Sequence, residues 1–232
     1  MDLTILIPIM IAIAPSLIAL AVVSGSKLTR WINAILGGSG WLIALLARTP
    51  LLFFIQSLDM FPRIFFASLA AGVFEETMRY FVVKYRISRE SNFYSIASIG
   101  LGWGLTEAII IYALQVHTAS ATYGYYWIDF FPAAIKRNIA IVFHLVMTLL
   151  ASIAVVKSIK LLLFATISIH TLLDLVAVLI ATYLNNPWLV EGLIALLTLT
   201  TIIPVIAYVR EIFPTKRYIG CKQIFTCPKN TI

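Results

Sequence analysis

Four ionisable residues lie within two strongly apolar stretches of this sequence. Glu75, Glu76 and Arg79 share one stretch, and Glu107 lies in the next. On a helix, the spacings i,i+4 and i,i+3 bring both Glu75 and Glu76 to the face that carries Arg79. Arg79 can neutralise one of these carboxylates, which leaves the other free to act as a general base towards water. The spacing therefore indicates acid–base chemistry.

Two later apolar stretches carry histidine. His144 lies in the first, and His170 and Asp174 lie four residues apart in the second. That spacing places imidazole and carboxylate on one helix face, where the carboxylate can orient the ring or both groups can bind one water or metal. Carboxylates and histidines together also suit a divalent metal. Metal-assisted hydrolysis, hydrolysis by a glutamate-activated water and a structural network of buried ion pairs all remain open.

The composition makes these charged groups unusual. The 232 residues are 61% hydrophobic and 12% charged, whereas soluble domains carry about 25% charged residues. Ionisable groups at the centre of a bilayer are costly unless they are paired or hydrated. The net charge is +7, and the basic residues lie in short clusters at the ends of apolar stretches. This position favours lipid headgroups over nucleic acid as the partner. We therefore expect a multi-pass protein of the cell membrane.

Hydropathy predicts an all-α polytopic protein with seven transmembrane helices. The predicted spans are residues 3–23, 31–47, 61–83, 93–116, 135–156, 161–184 and 188–209. Basic residues concentrate in the first, third and fifth loops and after the last span, so the N-terminus is expected outside and the C-terminus in the cytoplasm. We divide the chain into a seven-helix domain, residues 1–210, and a basic cytoplasmic tail, residues 211–232, which holds Cys221 and Cys227.

Three further segments affect how the spans are arranged. Residues 51–58 are apolar but too short to span, which predicts an interfacial segment. The loop 117–131 is rich in tyrosine, tryptophan and phenylalanine, which is typical of an aromatic belt at the headgroups, although a lid over the site is an alternative. Glycine at position 72, and at positions 100, 102 and 104 before Glu107, predicts close approach between helices.

The order of these motifs resembles the YhfC family of intramembrane peptidases, which is similar to the type II CAAX prenyl proteases, the PrsW proteases and the seven-helix scaffold subunit of gamma-secretase. The shared pattern is a glutamate pair with a downstream basic residue, then a histidine, then His-x-x-x-Asn/Asp, on successive helices. It is matched by Glu75-Glu76-x-x-Arg79, His144 and His170-x-x-x-Asp174. The sequence departs from these families in three ways. The CAAX enzymes have one more residue before the arginine, and their middle motif is Phe-x-x-x-His, whereas here Phe143 directly precedes His144. Trp103 stands where YhfC relatives are often expected to carry histidine.

The resemblance implies an intramembrane protease that hydrolyses peptide bonds of membrane-embedded or membrane-anchored substrates. The candidate catalytic residues are Glu75, Glu76, Arg79, Glu107, His144, His170 and Asp174. By the resemblance, Glu75 is the preferred general base, and Glu76 and Arg79 support it. Glu107 is a second acid whose role is open.

The resemblance also bears on the histidines and on metal binding. His144 would orient water or bind metal, and His170 with Asp174 would stabilise the oxyanion or complete the metal site. The metal set would be Glu75, His144 and His170, with Zn²⁺ or another divalent ion as the cofactor. Without a metal, no cofactor is expected.

Two other functions fit the same residues. A non-catalytic scaffold, like the gamma-secretase subunit, would use buried histidines to hold helices and a membrane protein partner. That subunit lacks the paired glutamates, so their presence here favours an enzyme. A proton- or ion-coupled transporter would use glutamate and histidine as a relay, but such folds often contain inverted repeats, and this sequence shows no repeat.

Overall fold

The computed structural model describes residues 3–87, 92–184 and 186–212, and these ranges fold into α-helices without a β-strand. The helices are α1 (Leu6–Ser24), α2 (Leu28–Phe54), α3 (Met60–Ile87), α4 (Phe93–Glu107), α5 (Leu114–Tyr123), α6 (Phe131–Val156), α7 (Lys160–Leu184) and α8 (Pro187–Ile212). Short 3₁₀ turns precede α1 and α6 and follow α2, and a π-helical segment joins α4 to α5. The predicted all-α class is confirmed.

Six stretches of the described residues are long and apolar enough to cross a membrane. They are Leu3–Ser24, Leu28–Ser57, Phe93–Tyr123, Trp127–Val156, Lys160–Leu184 and Glu191–Tyr208. Helix α3 has 28 residues, which is enough to span, but its charged residues keep it out of this set. The chain is thus a multi-pass membrane protein. The count of seven spans and the orientation of the termini stay predictions.

Two helix ends differ from the predicted segments. Residues 51–54 extend α2, and only Ile55–Ser57 form a separate 3₁₀ turn. The predicted loop 117–131 is helical up to Tyr123, where Gly124 ends α5 with a φ of 68°. Hydropathy measures apolarity rather than backbone hydrogen bonding, so helices can extend past their apolar stretch. Residues 213–232, including Cys221 and Cys227, lie outside the described ranges.

Glycines allow α4 to approach both of its main neighbours, α2 and α6. A Cβ atom at Gly102 would overlap the carbonyl oxygen of Ala34 in α2, and one at Gly104 would lie 2.8 Å from the Cα of Ile141 in α6. At Gly72, a Cβ atom would lie 2.8 Å from the carbonyl oxygen of Ile167. The absence of that atom allows α3 to lie close to α7. The predicted close approaches are confirmed. They bring together the helices that carry the candidate site residues.

The backbone of the fourth span changes geometry directly after Glu107. Residues Ala108–Ala113 form a π-helix between α4 and α5. Such segments are rare and occur frequently at functional sites, because they alter the direction of the side chains around them. The side chain of Glu107 leaves the helix at the start of this segment.

Candidate active site

Glu76 is a fully buried carboxylate that holds two other candidate residues. Arg79 Nε donates to its Oε2 over 3.1 Å, and His170 Nδ1 lies 2.6 Å from its Oε1. A carboxylate only accepts hydrogen bonds, so Nδ1 of His170 carries a proton and donates it. The side chain of Glu76 does not line the central cavity. Its contacts fix the positions of Arg79 and His170.

Arg79 determines the protonation of His144. Its Nη2 lies 3.0 Å from His144 Nδ1, and its Nη1 donates to the carbonyl oxygen of His144 and to Thr148 Oγ1. A guanidinium has no acceptor, so Nδ1 must be the unprotonated nitrogen. His144 is therefore neutral, with its proton on Nε2. That nitrogen lies 2.5 Å from Oε2 of Glu107 and donates to it.

Glu75 is held through both of its oxygens. Arg48 Nη1 donates to Oε1 over 2.8 Å, and the indole Nε1 of Trp103 donates to Oε2 over 3.3 Å. The guanidinium of Arg79 stacks on the same indole, with Cζ 4.3 Å from the ring centroid. Trp103 is fully buried. It therefore fixes Glu75 and supports Arg79 with a single rigid side chain.

Each of the three candidate glutamates has its own arginine. Glu107 accepts from Nη1 of Arg137 over 2.8 Å, in addition to the Glu75–Arg48 and Glu76–Arg79 pairs. Buried charges that lack a partner are strongly destabilising. The three pairs therefore allow three carboxylates to remain ionised inside the bundle.

His170 and Asp174 face each other less closely than their spacing suggested. Nε2 of His170 lies 3.6 Å from Oδ2 of Asp174, which is too long for a hydrogen bond. Glu76 occupies Nδ1 of the same ring. Nε2 of His170 is thus available to a water molecule or to a substrate.

A cavity of about 350 Å³ joins most of these groups. The candidate residues that line it are Glu75, Glu107, His144, His170 and Asp174. Glu76 and Arg79 lie behind its wall and do not line it. The volume falls in the range of ligand pockets. Five of the seven predicted residues therefore share one space, and the other two hold His170 and His144.

Three of the lining residues fit a divalent metal ion. Glu75, Glu107 and His144 each offer one ligand atom, and these atoms lie within 4.8 Å of one another. Two carboxylate oxygens and one imidazole nitrogen suit Zn²⁺. A neutral imidazole that binds a metal through Nε2 carries its proton on Nδ1, so binding through His144 requires Arg79 to release Nδ1. The predicted metal set contained His170 instead of Glu107. The difference arises because Glu107 directly contacts His144.

Sequence reasoning missed Arg48, Trp103 and Arg137 as partners of the glutamates. Arg48 follows the predicted span 31–47 directly and Arg137 lies at the start of the predicted span 135–156, and both lie inside helices. Arg137 precedes His144 by seven residues, which is two helical turns, so this spacing could have placed both side chains on one face of α6. No local signal connects Arg48 to Glu75, which is 27 residues away.

Helices α2 to α5 supply both of the carboxylates that could bind a metal, together with the arginine and tryptophan that hold Glu75. Residues 42–126 match the YhfC intramembrane metalloprotease family. The resemblance to YhfC is thus confirmed over a segment that covers less than half of the chain. This YhfC segment includes Glu75 and Glu107, whereas His144 and His170 lie beyond it. No curated protein sequence matches the chain significantly.

Proposed function

We propose that this protein is an intramembrane protease that hydrolyses peptide bonds of membrane-associated substrates. The observation that carries the proposal is the convergence of Glu75, Glu107 and His144 on one cavity inside a bundle of membrane helices. Two of these residues lie in the segment that matches the YhfC family. The grouping supplies what peptide hydrolysis requires, namely a fixed base, a polar pocket and shelter from lipid.

Glu75 acts as the general base in this proposal. It takes a proton from water as the water oxygen attacks the scissile carbonyl carbon, and it returns that proton to the leaving amine. Arg48 and Trp103 hold one oxygen each. Because both oxygens are held, the carboxylate needs little reorientation to reach the water.

In the alternative, metal-dependent route, Glu75, Glu107 and His144 would hold a divalent ion, and Glu75 would then be a ligand rather than the free base. The ion would supply a Lewis acid for the carbonyl group and for the attacking water. Nε2 of His144 faces Glu107 and is the nitrogen that would bind the ion, with the ring proton moved to Nδ1. Arg137 holds the other oxygen of Glu107 and orients that carboxylate towards His144.

His170 stabilises the oxyanion in the same proposal. Its Nδ1 donates to Glu76, and Asp174 lies close to Nε2. An imidazolium carries a proton on both nitrogens, and in that form Nε2 donates to the negative oxygen of the tetrahedral intermediate. Asp174 is the more exposed of the two acids, at 38% of its side chain, so it can also contact substrate.

The decisive experiment compares the wild type with Glu75→Gln on membrane-anchored peptides. The substitution keeps the shape of the side chain and removes its basicity, so we expect cleavage to fall by about 10²- to 10⁴-fold. Glu191→Gln is the matched control, since Glu191 is a buried acid on α8 that does not line the cavity. Cleavage retained in Glu75→Gln would overturn the assignment, and a stable co-purified partner without any cleavage would favour the scaffold.

Metal analysis of the same preparations separates the two routes of water activation. A bound divalent ion that is present in the wild type and lost in Glu107→Gln and His144→Gln supports the metal site. Active protein that contains no metal would leave Glu75 as the base in a metal-free mechanism.

A further inference from the structure

Three lysine and arginine side chains line the central cavity, and two of them form ion pairs with glutamates. Arg48 pairs with Glu75 and Arg137 pairs with Glu107, both over 2.8 Å. The third is Lys136, at the start of α6. Within the described ranges, no hydrogen bond and no ion pair shorter than 4.0 Å reaches its ammonium group, and the acids Glu191, Asp174 and Glu107 act on it only over longer distances. A cation inside a membrane-spanning segment is costly unless something pairs with it.

Other donors on the same wall also lack an acceptor in the part of the chain that the structure describes. Trp41 is fully buried and lines the cavity, and its indole nitrogen has no hydrogen-bond partner. Arg48 uses Nη1 for Glu75, whereas its Nε is buried without a partner. Buried donors normally find acceptors. The occupant of the cavity is therefore expected to bring acceptor atoms with it.

We propose that Lys136 forms a subsite for a carboxylate of the peptide substrate. This inference rests on the proposed function, since it assigns the substrate class of that same cavity. The ammonium is a strongly hydrated point charge that gains most from an ionised oxygen acceptor. The carboxylate belongs either to an acidic side chain or to the C-terminus of the substrate, because both present the same two oxygens.

The geometry of α6 sets the distance between this subsite and the bond that is cleaved. Lys136 precedes His144 by eight residues on the same helix, which corresponds to about 12 Å along its axis. An extended peptide advances about 3.3 Å per residue, and the lysine side chain shortens the gap. The acidic group is therefore expected roughly two to four residues from the scissile bond.

A peptide panel tests the subsite with purified, full-length protein. The panel consists of variants of one membrane-anchored peptide. Each variant carries Glu or Gln at one of the six positions on either side of the cleaved bond, and a further pair has a free or an amidated C-terminus. We expect one acidic position or the free terminus to raise kcat/KM about tenfold in the wild type. Lys136→Met should abolish this preference, and Lys136→Arg should retain much of it.

Two controls separate a binding role from a structural one. Lys157→Met removes an exposed lysine at the far end of α6 and should leave the preference unchanged. Glu191→Gln removes a buried acid on α8, the helix that packs beside α6. If Lys136 only paired with Glu191, Lys136→Met and Glu191→Gln would both lower the melting temperature, and neither would change the preference for the acidic peptide. That result would overturn the proposal.

A binding measurement keeps this proposal distinct from the proteolytic function. Glu75→Gln protein is titrated with the acidic and neutral peptides, with and without Lys136→Met in the same chain. Tighter binding of the acidic peptide that depends on Lys136 supports the subsite even if no peptide is cleaved. Equal binding of acidic and neutral peptides contradicts the subsite, even if the wild type proves to be a protease.

Discussion

Trp103 connects two charged residues of the candidate site although it carries no charge itself. Its indole nitrogen donates to Glu75, and its ring supports the guanidinium of Arg79. Arg79 in turn holds Nδ1 of His144. The orientation of Glu75 and that of His144 are thus coupled through one buried aromatic side chain. This makes Trp103 a positioning residue in the proposed mechanism.

Trp103→Phe should weaken the site without dismantling it. Phenylalanine keeps an aromatic face for Arg79 but removes the N–H that orients Glu75, so we expect a loss of about 10- to 100-fold in metal affinity or activity. Metal titration measures the first effect and peptide cleavage the second. Trp31→Phe is the control, because its N–H bonds to the carbonyl of Gly25 away from the site. Equal losses in both variants would contradict a specific role for Trp103.

At this scale, local spacing predicted contacts within a helix but not those between helices. The i,i+3 spacing correctly anticipated the pair formed by Glu76 and Arg79. It could not show that Glu75 faces the cavity while Glu76 faces away, because adjacent residues differ by about 100° around a helix. The rotation of α3 depends on tertiary packing. The same packing brings Arg48 to Glu75.

Helix α4 is positioned by residues that have no side chain. Gly102 allows the backbone of α2 to lie where a Cβ atom would be, and Gly104 does the same for α6. Lipid provides no hydrophobic driving force between helices, so close van der Waals contact of this kind is a main source of helix association. The position of Glu107, at the end of α4, depends on these contacts.

Gly102→Ala should therefore destabilise the bundle. The added methyl group would overlap the carbonyl oxygen of Ala34, and overpacking of this kind costs about 1–3 kcal/mol. We expect a lower melting temperature in detergent. Gly192→Ala is a matched control, since the same added atom meets nothing within 4 Å there. If both variants melted at the same temperature, the close α2–α4 contact would not support stability.

The sequence predicted which segments are helices more accurately than where they end. Apolar stretches identified the spans, because helices in lipid must be apolar over most of their surface. They did not reveal that α2 continues to Phe54 or that a π segment follows Glu107. Both features depend on backbone hydrogen bonds and on neighbouring helices, which hydropathy does not measure.

For the whole molecule, the cavity lies towards one end of the bundle. Its lining comes from the later parts of α2 and α7 and from the earlier parts of α3, α6 and α8. These parts adjoin the α2–α3 and α7–α8 connections and the segment between α5 and α6. If the chain has the orientation predicted from its basic residues, this end faces away from the cytoplasm.

Cysteine labelling in intact cells tests that orientation. The two native cysteines, Cys221 and Cys227, lie in the predicted cytoplasmic tail. In a chain with both changed to serine, Tyr125→Cys introduces a thiol beside the cavity end, and Ser26→Cys introduces one in the α1–α2 loop. We expect a membrane-impermeant maleimide to label only Tyr125→Cys before the cells are permeabilised.

The pattern of labelling has a direct consequence for the substrates. In the predicted orientation, the cavity receives peptide segments from the external half of the bilayer, and the wild-type tail reacts only after permeabilisation. The reverse pattern would place the cavity at the cytoplasmic side and restrict the candidate substrates to segments that enter from there. Labelling of both introduced thiols on one side would instead contradict the odd number of spans between them, and with it the assignment of α3 as a membrane-spanning helix.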